Sequence, residues 1–136
     1  MKTLEAYLTF NGTCEEALKH YEKAFNGSIT FLQRFKETDY STPETAEKVM
    51  HAVFKGDGYT FMASDGMGEH APKNGNNISL TLNLDDAAEQ TRIFNVLAEG
   101  GTVTMPLADT FWGAHFGMVV DRYGINWMLN RELPKK

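Results

Sequence analysis

Cysteine is nearly absent: Cys14 is the only one in 136 residues. An intramolecular disulfide is therefore excluded, along with every fold stapled by a disulfide framework, and the chain suits a reducing compartment. Positive charge is in short supply as well. Thirteen Lys and Arg stand against 18 Asp and Glu, for a formal net charge of −5 and a pI of about 5.3. A binder of nucleic-acid phosphates needs a basic stripe, which this balance argues against. It suits a basic or neutral small ligand better than an anionic one. No run of five like charges marks an interaction tail. No stretch approaches the roughly 20 apolar residues of a membrane span. Met1-Lys2-Thr3-Leu4-Glu5 lacks the apolar centre of a signal peptide. The expectation is a cytoplasmic protein that partners neither nucleic acid nor membrane.

What is present is enough for a core: 42% of the residues are hydrophobic, and the length suits a single domain over 1–136. Leu4, Ala6, Leu8 and Phe10 alternate with Glu5, Tyr7 and Thr9, the period of a half-buried strand. Thr13 is the expected N-cap of a helix with Glu16 as its capping-box partner, followed by Ala17, Leu18, Tyr21, Ala24 and Phe25 at helical spacing. Asn26-Gly27 is expected to stop it with a left-handed residue. Strands are predicted over 28–35, 48–54 and 59–64, the last two joined by Gly56-Asp57-Gly58. A Gly- and Asn-rich segment, 65–77, reads as a linker.

The pattern then restarts. A strand carries Ile78, Leu80, Leu82 and Leu84; a helix capped by Asp85 or Asp86 carries Ala88, Ile93, Phe94 and Leu97 and ends at Gly100-Gly101. Strands are predicted over 102–107, 114–120 and 125–130, and 131–136 reads as a frayed end. Leu8-Thr9-Phe10-Asn11 matches Leu80-Thr81-Leu82-Asn83, and Asn26-Gly27-Ser28-Ile29-Thr30-Phe31 resembles Gly100-Gly101-Thr102-Val103-Thr104-Met105. His51 has a counterpart in His115, and Gly58-Tyr59-Thr60-Phe61-Met62 echoes Gly124-Ile125-Asn126-Trp127-Met128. Four matches in one order indicate an internal repeat. The expected fold is α+β: two tandem βαβββ units, at about 3–65 and 77–130, forming a curved mixed eight-stranded sheet with helices on the outer face. Alternation puts Leu4, Ala6, Leu8, Phe10, Ile78, Leu80, Leu82, Leu84, Tyr59, Phe61, Ala63, Ile125, Trp127 and Leu129 under the helices. Glu5, Tyr7, Thr9, Thr60, Met62, Ser64, Ser79, Thr81, Asn126, Met128 and Asn130 face the cup. That second set is mixed polar with two methionines, as a ligand cavity would be.

Certain runs carry a family resemblance. Tyr7-Leu8-Thr9-Phe10-Asn11-Gly12, Val49-Met50-His51-Ala52, Met62-Ala63-Ser64-Asp65, Asp109-Thr110-Phe111-Trp112-Gly113-Ala114-His115-Phe116-Gly117-Met118 and Asp121-Arg122-Tyr123-Gly124-Ile125-Asn126-Trp127 resemble the PhnB-like proteins. Those proteins belong to the glyoxalase, bleomycin-resistance and dioxygenase (vicinal oxygen chelate) superfamily. The resemblance implies the paired βαβββ fold, a homodimer, cytoplasmic placement, and the 3-demethylubiquinone methyltransferase label that many members carry. Methyl transfer from S-adenosylmethionine usually uses a Gly-rich turn that opens a helix, whereas Gly100-Gly101 ends one.

Metal-using relatives take one ligand from each of the first, fourth, fifth and eighth strands. Carried over by strand pattern, those positions fall near Glu5, Met62, Ser79 and Met128, of which only Glu5 suits a hard or borderline divalent ion. No metal and no cofactor is therefore expected. Ligand-binding candidates are Glu5, Tyr7, His51, Met62, Ser79, Thr81, Trp112, His115, Asn126 and Met128, with no residue assigned to catalysis. Each has a plainer reading. Glu5 either binds a cation or works as a base, or it pairs with a dimer partner. His51 and His115 either serve as hydrogen-bonded strand residues or stand at the cup rim, as binders or acid–base groups. Trp112 either walls the pocket or packs into a dimer seam. His20 and His70 read as surface residues, Cys14 at a helix start as a thiol whose pKa a helix can lower but with no His or Asn partner for a nucleophile role, and Met67, Met105 and Met118 as filler. The leading function is metal-independent binding of a small amphipathic or aromatic molecule. The rivals are an acid–base isomerase or lyase and a metal-dependent enzyme.

Overall fold

In a computed structural model of the chain, which describes residues 1–135, two compact units meet between Lys73 and Asn74, inside the expected linker. In unit 1 the elements run β1 (Tyr7–Phe10), α1 (Cys14–Ala24), β2 (Gly27–Arg34), β3 (Val49–Gly56) and β4 (Tyr59–Asp65). Unit 2 repeats them as β5 (Leu80–Leu84), α2 (Ala87–Ala98), β6 (Thr102–Asp109), β7 (Ala114–Val120) and β8 (Asn126–Glu132). The eight strands form two mixed four-stranded sheets of the same order, β1-β4-β3-β2 and β5-β8-β7-β6. In each, the first strand runs parallel to the fourth and the remaining pairs are antiparallel. Identical order in both halves establishes the duplication that the sequence matches indicated.

Helix α1 lays Cys14, Ala17, Leu18, Tyr21 and Ala24 on its sheet, all buried. They meet Leu8, Phe10, Ala52, Phe54, Phe61 and Ala63, also buried. The aromatic members interlock: Phe54 and Phe61 stack with centroids 4.9 Å apart, and Tyr21 meets Phe61 edge-on at 6.2 Å. Helix α2 buries Ile93, Phe94, Val96 and Leu97 together with Gln90, while Ala88, expected inside, is exposed. Leu4 and Ile78, also expected under the helices, are 94% and 75% exposed, because the strands begin after them, at Tyr7 and Leu80. Period-2 alternation extends beyond the residues that find a pairing partner, so it overstates strand length.

Capping differs between the helices. Asp86 accepts a hydrogen bond from Glu89 N at 2.8 Å, as expected of an N-cap. Thr13 occupies the N-cap of α1 but makes no side-chain cap. Its role passes to Asp65, whose buried carboxylate accepts Cys14 N, 51 residues before it, at 2.8 Å and Val49 N at 2.9 Å. The stops differ too. Gly100 ends α2 with φ +72, the left-handed conformation. Gly27 has no positive φ; a Cβ there would lie 2.5 Å from both Phe54 and Tyr59, so the glycine is required for space. At the C-terminus β8 runs two residues past its predicted end, and Leu133 N donates to Gly113 O at 2.9 Å. Arg131 and Glu132 are thus strand residues, not part of a frayed end; Lys136, assigned to that end, lies outside the described residues.

Replacing Asp65 with Ala strands two buried backbone donors and is expected to lower the unfolding free energy by ~2–4 kcal/mol, measured by urea denaturation. An unchanged midpoint would show that these donors find other acceptors. Burial, then Asp65, then Glu15 push the Cys14 thiol well above its ordinary value, so it is an inert core residue and not the activated thiol that a helix start suggests. In the native state the thiol stays protonated where the unfolded chain ionises, so Cys14 lowers stability only as pH rises beyond about 9. Thiol-reagent kinetics at pH 8 should track global unfolding; rapid labelling of native protein would contradict the burial.

Candidate functional site

The face of the first sheet turned away from α1 gathers the most distinctive group of side chains. Tyr7 lies beside Met62 in the parallel β1–β4 register, and Met62 lies opposite Val53 on β3. Val53 in turn pairs with Phe31, and His51 with Gln33, on β2. Tyr7 Oη is 2.9 Å from His51 Nδ1 and their rings stack at 5.7 Å; Phe31 closes on His51 at 6.0 Å. Tyr7 and Phe31 remain 47% and 49% exposed. The result is an aromatic wall with an imidazole at its centre and a thioether beside it. When the tyrosine donates, the imidazole carries its proton on Nε2 and offers a donor to the open side. Glu5 is exposed, ahead of β1, and lines a groove of about 590 Å³ with Leu4, Lys55, Tyr59 and Thr60 at one end of this sheet.

In unit 2 the face turned from α2 carries Thr81 and Met128, which are register partners, with Met118 opposite Met128 and Asn130 opposite Phe116. Asn126 is committed to the backbone, donating to Gly75 O at 2.8 Å and Ile78 O at 3.1 Å. Ser79 is half-buried and precedes β5. Trp112, 57% exposed in the β6–β7 turn, meets Phe111 edge-on at 5.0 Å and Phe116 at 5.9 Å. His115 is not the counterpart of His51. It shares strand parity with Gly117 and Val119, which pack toward α2, and its Nδ1 is 2.7 Å from Asp109 Oδ1. Its carbonyl accepts Gln90 Nε2, while Gln90 Oε1 accepts Arg131 Nε at 3.1 Å.

The other polar residues in the interior are structural. Asp121 accepts Tyr123 N, Ile125 N and Trp127 Nε1, the last at 2.8 Å, and so folds the β7–β8 turn. Among the described residues, no three His, Cys, Asp or Glu lie close enough to hold a metal ion. The divalent ion of the superfamily's metal-using members does not fit the positions carried over to this chain. They offer one exposed carboxylate at Glu5, a hydroxyl at Ser79, and thioethers at Met62 and Met128, where such an ion needs imidazoles or several carboxylates.

Alternation on β1 and β4 put Tyr7 and Met62 on one face; the β1–β4 pairing makes them neighbours. Phe31, Gln33 and Val53 were missed. The alternation of His51, Val53 and Lys55 was there to be read, but β2 carries two register irregularities. A bulge turns later side chains to the other face without any mark in the sequence.

A two-unit βαβββ chain of this topology is a vicinal-oxygen-chelate fold. A glyoxylase/bleomycin resistance protein/dioxygenase domain from Frankia sp. EAN1pec shares it at a TM-score of 0.70, with 11% identity, over 100% of this chain and 95% of that one. Nearer in sequence, protein PA1353 from Pseudomonas aeruginosa superposes at a TM-score of 0.89, with 38% identity over 98% of this chain and all of that one. The PhnB protein from Bacillus cereus superposes at 0.83, with 29% identity over 96% and 99% of the two chains. The family profile described as 3-demethylubiquinone-9 3-methyltransferase matches residues 2–130, and the chain belongs to that family, the PhnB-like branch of the superfamily.

Removing the Tyr7 hydroxyl with Tyr7→Phe is expected to change stability by less than ~0.5 kcal/mol, since the pair is open to solvent. It should move the His51 Nδ1 resonance in nitrogen NMR, because the imidazole loses its hydroxyl partner. An unmoved resonance would mean the two groups are not hydrogen-bonded in solution.

Proposed function

We propose that this protein binds a small amphipathic or aromatic molecule without a metal, and that Tyr7, Phe31, His51 and Met62 form the principal contact. The observation that carries the proposal is the half-exposed aromatic wall on the open face of the first sheet. Large aromatic side chains usually bury their area. Tyr7 and Phe31 stand on opposite edge strands and each closes on His51 between them, so two half-exposed rings and a hydroxyl–imidazole pair offer stacking and directional polarity together. Thr81 and Met128 on the open face of the second sheet, Ser79, Asn126 and Trp112 are secondary candidates. The protein is proposed to act as one cytoplasmic domain that pairs as a homodimer. Support for pairing comes from Val103 and Met105, each 42% exposed on the edge strand β6, and from Phe111 and Trp112, exposed in the turn that follows it.

A second reading is an acid–base enzyme of isomerase or lyase type, favoured by the Asp109–His115 pair at 2.7 Å. A carboxylate at one imidazole nitrogen orients the ring and supports proton transfer at the other. The binding reading is preferred because the His115 ring is held by Asp109 and lies only 25% exposed. The methyl transfer named in the family description is not part of the proposal, since Gly100 and Gly101 close α2 and open no cofactor-binding turn.

A calorimetric or ligand-observed NMR screen of neutral and charged aromatic amphiphiles tests the proposal. Hits should compete for one site, and Phe31→Ala and Tyr7→Ala should each weaken them by about tenfold, a typical loss for a stacking partner. Binding that ignores both substitutions would refute it. Turnover lost with retained affinity in His115→Ala would instead favour the enzyme.

A further inference from the structure

The groove beside the aromatic wall contains two charges of opposite sign that do not pair. Glu5 and Lys55 both line it, yet neither side chain has an ion-pair or hydrogen-bond partner among the described residues. A second cavity in the same unit makes the contrast clear. It measures about 370 Å³ beside the start of α1, and its charges are spent. There Glu15 accepts a fork of bonds from Arg34 at 3.0 and 2.9 Å, Lys48 donates to Gly12 O at 2.9 Å, and Asp65 holds two backbone amides. Two exposed charges of opposite sign left open on one groove are available to an incoming molecule.

The groove and the wall are continuous along the strands. Lys55 is two residues from Val53, Thr60 two from Met62, and Glu5 two from Tyr7, with Lys55 opposite Thr60 and Val53 opposite Met62 in the β3–β4 register. Two strand residues span roughly 6.6 Å, about the reach from a charged head group to an attached ring. Resting on the binding role proposed above, we infer that the ligand is a zwitterion with an aromatic body. Its ammonium meets Glu5, its carboxylate meets Lys55, and its ring lies against Tyr7 and Met62. A singly charged head would satisfy one side chain and leave the other without a counter-charge. Net charge, read from the whole chain, points to a basic or neutral ligand; the local pair of charges points to one that is both acid and base.

Three molecules with one ring and different heads separate these cases: L-tryptophan, tryptamine and indole-3-propionate, titrated calorimetrically at pH 7 into the full chain. Tryptophan is expected to bind about tenfold more tightly than either of the others. Lys55→Gln should bring tryptophan down to the level of tryptamine, and Glu5→Gln to the level of indole-3-propionate. Both substitutions are at the surface, so folding is not at issue. Equal affinity of wild-type protein for tryptophan and either analogue would overturn the inference, as would an unchanged ranking in both variants. If that happens while Tyr7→Ala or Phe31→Ala still weakens unsubstituted indole, the aromatic-wall reading survives and only the head-group assignment falls. If no indole derivative responds to either Tyr7→Ala or Phe31→Ala, both fall.

Discussion

The buried carboxylate of Asp65 is the contact on which the architecture of unit 1 depends. It ends β4, accepts the first helical amide of α1, and accepts the amide that opens β3. One side chain thereby ties three elements far apart in sequence. A helix start leaves backbone donors unsatisfied, and in the interior no water replaces the missing acceptor. Moving the acceptor from Thr13, the local candidate, to a residue on the last strand couples helix formation to completion of the sheet. The same contact holds β3 and β4 in the register that puts His51, Val53 and Met62 on one face.

Unit 2 solves the equivalent problem with different residues. Asp86 caps α2 locally. The burial of a polar side chain is left to Gln90, which binds the carbonyls of His115 and Leu129 and the guanidinium of Arg131, and to Asp121, which receives Trp127 and the turn amides. Backbone topology is duplicated while the polar interior is not. That divergence explains why His51 and His115, similar in sequence position, point to different surroundings. One meets a tyrosine on an open face. The other meets an aspartate on the side of the helix, with its backbone fastened to Gln90.

Much of the fold was legible because strand and helix periods are local. Strand β7 was read to the residue, and the hairpins, the α2 stop and the repeat all followed from alternation and glycine placement. Errors cluster where the deciding partner is distant. Leu4 and Ile78 have the right period but no strand to pair with. Gly27 looks like a left-handed stop but is required for the approach of Phe54 and Tyr59. Cys14 sits at a helix start, where a thiol is often activated, yet burial and the Asp65 carboxylate push its pKa the other way. Of the candidate site, Tyr7 and Met62 were readable from one strand each, whereas Phe31 required a bulged register.

By itself the sequence determined the class of fold and the duplication, because these depend on residue identity and on periods of a few residues. Tertiary structure alone decided which side chains share a face, which aspartate caps which helix, and which charges stay unpaired. Those outcomes depend on pairing between segments tens of residues apart, where a one-residue change of register reverses every side chain beyond it.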